Sequence, residues 1–268
     1  MNRTHQRSAR PWWTLLRGDD PVVVTALHSG DIVDPEFRRH QKLTKEERKY
    51  EEDLYTDKIA DIGPNKLIVH RSRFEVDFNR APDECIYSGP EQAWGLEIWR
   101  DLLPAAAEDK ARHMYHAFYR EMNAVITDLI ERFGHFLILD IHSFNTRSKG
   151  AEAPAGRDKA PDINVGTGTL KDPQRWRPLI DRLISVLRRR QLPGCRNLDV
   201  RENVNFQGGY FPEWVHEHFT GKGCVLALEI KKIYMDEWTL DPDPVKVCAL
   251  RRILSEIIPL CRRELERI

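Results

Sequence analysis

Five short runs of mostly apolar residues alternate along the chain with longer segments of helical periodicity. The apolar runs cover residues 22–27, 66–70, 136–141, 198–201 and 225–230. Short apolar runs separated by helical segments are typical of α/β proteins, in which parallel strands are buried between layers of helices. The pattern therefore predicts a three-layer αβα fold with a mixed, mostly parallel central sheet.

The helical segments show apolar residues at spacings of three and four. In the clearest segment, which follows Pro104 and stops at Gly134, these positions are Met114, Phe118, Met122, Val125 and Leu129. We predict a helix there with its apolar stripe in the core, and two more over residues 176–190 and 245–265.

Two other segments lack a clear apolar stripe. Residues 147–168 are rich in glycine, alanine and proline and follow the third apolar run, so we predict a long loop there. Such a loop would lie beside any site built at the end of that strand. Residues 44–57 are dense in charge and prone to helix formation, which is typical of a solvated helical face.

Composition limits the classes of protein to consider. The chain has 268 residues, of which 41% are hydrophobic, so we predict a single domain over residues 1–268, with residues 1–20 as an N-terminal extension. Lysine plus arginine and aspartate plus glutamate number 42 each, so net charge favours neither nucleic acid nor an anionic membrane as a partner. The N-terminus lacks the apolar core of a secretory signal and no apolar run has membrane-spanning length, which predicts a cytoplasmic protein. The sequence does not predict an oligomeric state.

Three predicted strands end in residues that are able to support hydrolysis. His28 follows the first apolar run, His142 follows the third, and Glu229 lies at the end of the fifth. The carboxyl ends of parallel strands meet at one edge of a sheet, which is where open α/β proteins bind ligands. Two imidazoles and a carboxylate form a common ligand set for catalytic zinc, and a second, unligated carboxylate can act as the base. The pattern therefore indicates a zinc-dependent hydrolase with Glu229 as its base.

Each of these residues also has a structural explanation. A histidine that follows an apolar run is more often a core or capping residue than a metal ligand, and Glu229 could pair with Lys231 or Lys232 at a sheet edge. Arg80 follows Asn79 in the segment VDFNR, and its guanidinium can bind a carboxylate through two hydrogen bonds or form a surface salt bridge. Taken singly, the residues leave these alternatives open.

Several short motifs occur in a recognisable order. HSG begins at His28, and VDFNR, DIHSF and LEIKK follow at residues 76–80, 140–144 and 228–232. Together with EEDLYTD, NVGTG, FQGGY and YMDEW, they resemble the N-formylglutamate amidohydrolase family, relatives of the zinc carboxypeptidases, over about residues 21–238. The resemblance implies a zinc-carboxypeptidase-like, phosphorylase/hydrolase-like fold and the hydrolysis of an amide bond.

The resemblance also implies roles for individual residues. His28 and His142 would bind one zinc ion per chain, and Glu229 would be the catalytic base. Binding of the substrate carboxylate would fall to Asn79 and Arg80, and further substrate contacts to Arg73 and Tyr210.

The chain departs from the carboxypeptidase pattern at the third metal ligand. Carboxypeptidases use His-x-x-Glu, whereas this chain has Asp31 at that offset from His28. Amidohydrolases of the formylglutamate type supply an aspartate further along, near the start of the next helix, which here points to Asp53. We therefore predict Asp53 as the third ligand, with Asp31 as the alternative and Glu52 and Asp57 behind it.

These assignments predict a zinc-dependent amidohydrolase whose substrate is a small anionic N-formyl or N-acyl amino acid. N-formylglutamate is the namesake of the family, and another acyl amino acid or a peptide end is a further candidate substrate. Two alternative functions are a metallocarboxypeptidase-like hydrolase of a peptide or other amide, and a non-catalytic protein that keeps the fold and binds a carboxylate.

Overall fold

The central feature of the structure is a mixed β-sheet. A computed structural model describes residues 11–146 and 160–268. Within these ranges the sheet has seven strands: β1 (Trp13–Leu16), β2 (Val22–Ala26), β3 (Asn65–Val69), β4 (Phe136–Phe144), β5 (Ile163–Gly166), β6 (Val200–Glu202) and β7 (Gly223–Lys231). The strand order is β1-β3-β2-β4-β7-β5-β6. Strands β3, β2, β4 and β7 are parallel, while β1 and β5 run antiparallel to their inner neighbours.

Helices cover both faces of the sheet. They are α1 (Pro35–His40), α2 (Lys45–Glu51), α3 (Thr56–Ile59), α4 (Ala105–Phe133), α5 (Pro173–Leu187), α6 (Tyr210–His218), α7 (Pro244–Leu265) and a 3₁₀ turn at Pro90–Gln92. The helices α3, α5 and α7 pack on one face, and α1, α4 and α6 pack on the other. Successive residues of β4 point alternately into the two cores, since Phe136 and Ile138 join one and Leu137 and Leu139 join the other. The predicted αβα fold is confirmed.

The predicted helices agree with the structure in position. Helix α4 ends at Gly134, which has a φ of 78° and donates its backbone N–H to Ile130. Helices α5 and α7 overlap the other two predicted segments. In the parts of the chain that are described, no helix is both long and apolar enough to cross a membrane.

Two strands of four residues each, β1 and β5, were not predicted from the sequence. Strand β1 is an edge strand with alternating half-buried and exposed residues. Strand β5 lies inside residues 147–168, so the prediction of one long loop there is wrong for Ile163–Gly166, while residues 147–159 lie outside the described part of the chain. A four-residue run such as INVG becomes a strand because it pairs with β7 and β6, and both are remote in sequence.

The charge-dense segment 44–57 is not a solvated helical face, and that prediction was wrong. It forms two short helices, and the first begins with a capping box in which Thr44 and Glu47 bond reciprocally. Arg48, Glu52 and Asp53 from this segment are buried. The charges are buried here because they have specific partners, which charge density alone does not reveal.

The first half of β7 has a neighbour on only one side. The backbone N–H of Val225 donates a hydrogen bond to His216 Nε2 of α6 at 2.9 Å instead of to a second strand. Because Nε2 is the acceptor, the proton of the neutral ring is on Nδ1, which lies 2.9 Å from Thr169 Oγ1. Burial lowers the pKa of His216 from 6.5 to about 4. If Nε2 were protonated, its N–H would face the N–H of Val225 and the hydrogen bond would be lost.

This hydrogen bond predicts a loss of stability in acid. Between pH 6.5 and about 4 the unfolded chain binds a proton at His216 that the folded chain does not, so the contribution present above pH 6.5 is lost as the pH falls. The free energy of unfolding should decrease by about 3 kcal/mol over this range from this group. The His216→Gln variant keeps an acceptor for Val225 but cannot titrate, so denaturant unfolding as a function of pH should show a flatter slope. The exposed His116 on α4 provides a His→Gln control, whose slope should match that of the parent protein.

Candidate metal centre

Three buried side chains meet at the carboxyl end of the parallel strands. His28 follows β2, His142 lies on β4, and Asp53 lies between α2 and α3. The candidate ligand atoms of the three residues all lie within 4.8 Å of one another. Asp53 Oδ2 is 3.1 Å from His142 Nδ1 and 3.7 Å from His28 Nδ1.

The backbone explains why these residues meet. Strands β2 and β4 are adjacent and parallel, so the two histidines leave the sheet side by side, with ring centroids 4.8 Å apart. The N–H of Asp53 donates to the carbonyl of His28 at 3.1 Å, which ties the α2–α3 turn to the end of β2. On its other side, the Asp53 carbonyl accepts the Thr56 hydroxyl at 2.6 Å. The aspartate is therefore held at both backbone groups.

Each histidine uses its other ring nitrogen to bind a buried carboxylate. His28 Nε2 lies 2.7 Å from Asp77 Oδ1, and His142 Nε2 lies 2.8 Å from Asp140 Oδ2. If Nε2 of each ring carries the proton, each Nδ1 can offer its lone pair to a metal ion beside Asp53. Metal-binding histidines typically have such a carboxylate partner, which fixes the tautomer and the orientation of the ring. Two imidazole nitrogens and one carboxylate oxygen in this arrangement fit the donor set of a zinc site.

The two carboxylate partners are themselves held. Asp77 Oδ2 accepts hydrogen bonds from the Tyr87 hydroxyl at 2.6 Å and from Arg73 Nη2 at 2.8 Å. Asp140 Oδ1 accepts the Thr25 hydroxyl at 2.6 Å. No role was predicted for Asp77 or Asp140 from the sequence. An aspartate two residues before His142, on the same face of an apolar strand, is a signal for Asp140 that could have been used.

The electrostatics of the cluster favour charged groups despite burial. Burial alone would lower the pKa of His142, but the adjacent Asp140 carboxylate outweighs it and raises that pKa. Burial opposes ionisation of Asp53, yet hydrogen bonds from His142 and His28 keep the pKa of its carboxyl below the usual range. Asp53 is therefore available as an ionised ligand.

The other candidates for the third ligand lie elsewhere. Asp31 forms an ion pair with Lys49 at 3.0 Å, and Asp57 forms one with Lys58 at the same distance. The buried Glu52 has bonds from Arg48 and Ser72. Of the four carboxylates considered, Asp53 is the one placed against both histidines.

A cavity of about 550 Å³ opens onto the three-residue cluster, and Glu229 lines it. Glu229 on β7 is the register partner of His142 on β4. Burial raises the pKa of Glu229 to about 8, although His142 opposes the shift. The suggested pairing with Lys232 is not formed, since Lys232 Nζ donates to the Tyr50 carbonyl at 2.6 Å. Lys231 lines a different cavity.

All four predicted substrate-binding residues line one smaller recess beside His28, with a volume of about 370 Å³. They are Arg73, Asn79, Arg80 and Tyr210. Arg80 donates Nη2 to the Gln92 carbonyl at 2.6 Å, and its guanidinium lies over the Tyr87 ring at 4.6 Å. Asn79 Oδ1 accepts the Phe211 N–H at 3.0 Å.

Close packing at this recess explains the second glycine of the FQGGY motif, Gly209. A Cβ on Gly209 would lie 2.3 Å from Asn79 Oδ1, so a larger residue would displace the Asn79 amide. The motif thus brings the start of α6 against the VDFNR segment.

Comparison with known proteins agrees with the arrangement of these motifs. Residues 20–235 match the family model of N-formylglutamate amidohydrolase. The chain belongs to this family. The resemblance inferred from the motifs is confirmed.

Two similar sequences are the N-formylglutamate deformylases of Pseudomonas aeruginosa and Pseudomonas putida. The first is 28% identical over 175 residues, which is 59% of this chain and 64% of that protein. The second is 26% identical over 176 residues, which is 59% of this chain and 63% of that protein. The similarity therefore spans less than two thirds of the length of these relatives.

Two solved structures share the fold. A crystal structure of N-formylglutamate amidohydrolase from Ralstonia eutropha JMP134 has a TM-score of 0.69 at 19% identity, covering 94% of this chain and 98% of that one. A crystal structure of a gene product of Agrobacterium tumefaciens has a TM-score of 0.64 at 16% identity, covering 95% of this chain and 96% of that one. At such identities the likeness is one of fold.

The geometry predicts which aspartate binds the metal. Asp53→Asn should lower zinc affinity strongly, because a ligating carboxylate must be ionised to offset the metal charge. Asp31→Asn is the matched control and should bind zinc like the parent protein. Competition against a chromophoric chelator measures both affinities, and a larger loss in Asp31→Asn would move the ligand to that residue.

Replacing a carboxylate partner of a histidine should lower zinc affinity less than replacing the candidate ligand Asp53. Asp140→Asn leaves all three candidate ligands in place but removes the charge that orients and polarises His142. Zinc affinity should fall by roughly 10- to 100-fold, as is typical for such partners. The same chelator competition, with circular dichroism to establish that the variant is folded, tests this; an unchanged affinity would show that Asp140 has only a structural role.

Proposed function

We propose that this protein is a metal-dependent amidohydrolase that cleaves the amide bond of a small N-formyl or N-acyl amino acid. The observation that carries the proposal is the meeting of His28, Asp53 and His142 beside Glu229 at the floor of one cavity. Membership of the N-formylglutamate amidohydrolase family supports the reaction class. The names of the Pseudomonas relatives support N-formyl amino acids as the substrate class.

The donor set suits one zinc ion per chain, held by His28, Asp53 and His142. Zinc bound there would supply Lewis acidity toward the amide carbonyl and lower the pKa of a nearby water. The hydrogen bonds to Asp77 and Asp140 hold the two imidazoles in the tautomer that such binding needs.

Glu229 is the proposed general base. Its carboxylate faces the same cavity, and no described residue forms a hydrogen bond or ion pair with it. Burial raises its pKa, so its ionised form accepts a proton more readily than an exposed glutamate does, and a cation held by the three candidate ligands would favour that ionised form. It would accept a proton from the attacking water and pass it to the nitrogen of the leaving amine.

The smaller recess is the proposed site for the α-carboxylate of the substrate. Arg80 and Asn79 reach it beside His28, with Arg73 and Tyr210 on its walls. A guanidinium can bind a carboxylate through two parallel hydrogen bonds, which fixes the orientation of the substrate. The scissile amide, next to the α-carbon, would then lie close to the metal centre.

Replacing the base tests this mechanism. Glu229→Gln keeps the shape of the side chain but cannot accept the proton, so kcat should fall by roughly 10²- to 10⁴-fold. Zinc content should be unchanged, because Glu229 is not among the three ligands. The measurement is formate release from an N-formyl amino acid by the zinc-loaded protein, together with metal analysis.

A matched control for this test is Glu131→Gln, on the exposed face of α4. It should retain the parent kcat. Near-normal turnover by Glu229→Gln would refute the proposed base, and loss of its zinc would make Glu229 a ligand instead.

A further inference from the structure

Aromatic side chains surround the cavity above the metal centre. They are Tyr50, Trp94, Phe144, Phe206 and Trp238, and we refer to them as the aromatic rim. The side chains of Trp94 and Trp238 are 56% and 42% exposed. Large aromatic residues exposed together beside a cavity are typical of a binding surface, whereas single exposed apolar residues need no explanation.

The rim is ordered into two walls built from different parts of the chain. Tyr50 of α2 and Trp238, which follows β7, have ring centroids 5.1 Å apart. Phe144 at the end of β4 and Phe206, which precedes α6, are 5.2 Å apart. The backbone on one wall is also fixed, since the Tyr50 carbonyl accepts hydrogen bonds from Lys232 Nζ at 2.6 Å and Asn145 Nδ2 at 3.0 Å. Contacts within the chain therefore hold these walls.

The charges in the cavity do not suit a second carboxylate. Arg73 is the one lysine or arginine among the described residues that line it, and its guanidinium already donates to Asp77 and Tyr87 while lying over the Trp94 ring at 4.9 Å. Glu51 and Glu229 line the same cavity. A γ-carboxylate placed there would share a partly buried space with these two acidic side chains, in addition to the candidate ligand Asp53.

We infer that the aromatic rim binds an aromatic or large apolar side chain of the substrate, so that derivatives such as N-formylphenylalanine are preferred to N-formylglutamate. The inference rests on the proposed function and deepens it. With the α-carboxylate in the recess of Arg80, the side chain of the amino acid would extend into the larger cavity. An aromatic ring buries a large apolar area there and can pack edge-on or offset against the rim rings.

The experiment compares kcat/KM for four substrates of the zinc-loaded protein: N-formylphenylalanine, N-formylglutamate, N-formyllysine and N-formylglycine. The expected result is at least a tenfold higher kcat/KM for N-formylphenylalanine than for each of the others. N-formyllysine tests the competing idea that the aromatic residues and Glu51 select a cation. A higher value for the glutamate or lysine derivative would overturn the inference while leaving the proposed function intact.

Substitutions in the aromatic rim test whether it is the cause of the preference for N-formylphenylalanine. In Trp238→Ala, the ratio of kcat/KM for N-formylphenylalanine to that for N-formylglycine should fall about tenfold. The control is Leu102→Ala, which removes an exposed apolar side chain that lines none of the cavities described above, and its ratio should match that of the parent protein. An unchanged ratio in Trp238→Ala, together with an unchanged ratio in Phe206→Ala, would refute the role of the rim.

A binding measurement separates this inference from the proposed function. Calorimetric titration of zinc-loaded Glu229→Gln with N-formylphenylalanine and with N-formylglutamate compares their affinities without turnover. Tighter binding of the phenylalanine derivative by about tenfold or more would support the inference even if no formamide were hydrolysed, in which case the proposed function alone would fail. Equal or tighter binding of N-formylglutamate would overturn it.

Discussion

The hydrogen bonds from His28 and His142 to buried carboxylates are the constraint on which the site depends. Asp77 and Asp140 each fix one imidazole so that its Nδ1 faces Asp53. Without these bonds the two rings would be free to present the other nitrogen or to rotate away. The ligand geometry therefore depends on residues that would not touch the metal.

The fold supplies this geometry through its parallel strands. Adjacent parallel strands β2 and β4 deliver the two histidines, and β7 delivers Glu229 in register with His142. Elements that are distant in sequence supply the supporting contacts, such as the turn that carries Asp53 and the VDFNR segment that carries Asp77. The sheet thus positions the two candidate histidine ligands and the proposed base relative to one another, while loops provide walls of the cavity.

The features that could be predicted from the sequence are those that depend on local patterns of residues. Apolar periodicity was sufficient for β2, β4, β7 and the long helices, and the strand-end pattern pointed to His28, His142 and Glu229, which line one cavity in the structure. The short strand β5 was missed because its pairing is entirely non-local. The burial of segment 44–57 was missed because a pattern of charges does not show which charges have buried partners. The placement of Asp77 against His28, 49 residues away, likewise arises only from the folded chain.

The charge balance of the site gives a physical reason for a bound cation. Asp53, Asp77 and Asp140 are almost completely buried, and among the described residues their close cationic partners are Arg73, Arg80 and the imidazole rings. Buried carboxylates need compensation, because an uncompensated charge in the interior is costly. The Asp140 carboxylate raises the pKa of His142, which favours a proton on this ring 3.1 Å from Asp53. A dication among the three candidate ligands would replace this proton with a larger positive charge, so a proton and a metal ion would compete for the His142 ring nitrogen that faces Asp53. The buried carboxylates that orient the candidate ligands would for this reason also favour a bound cation.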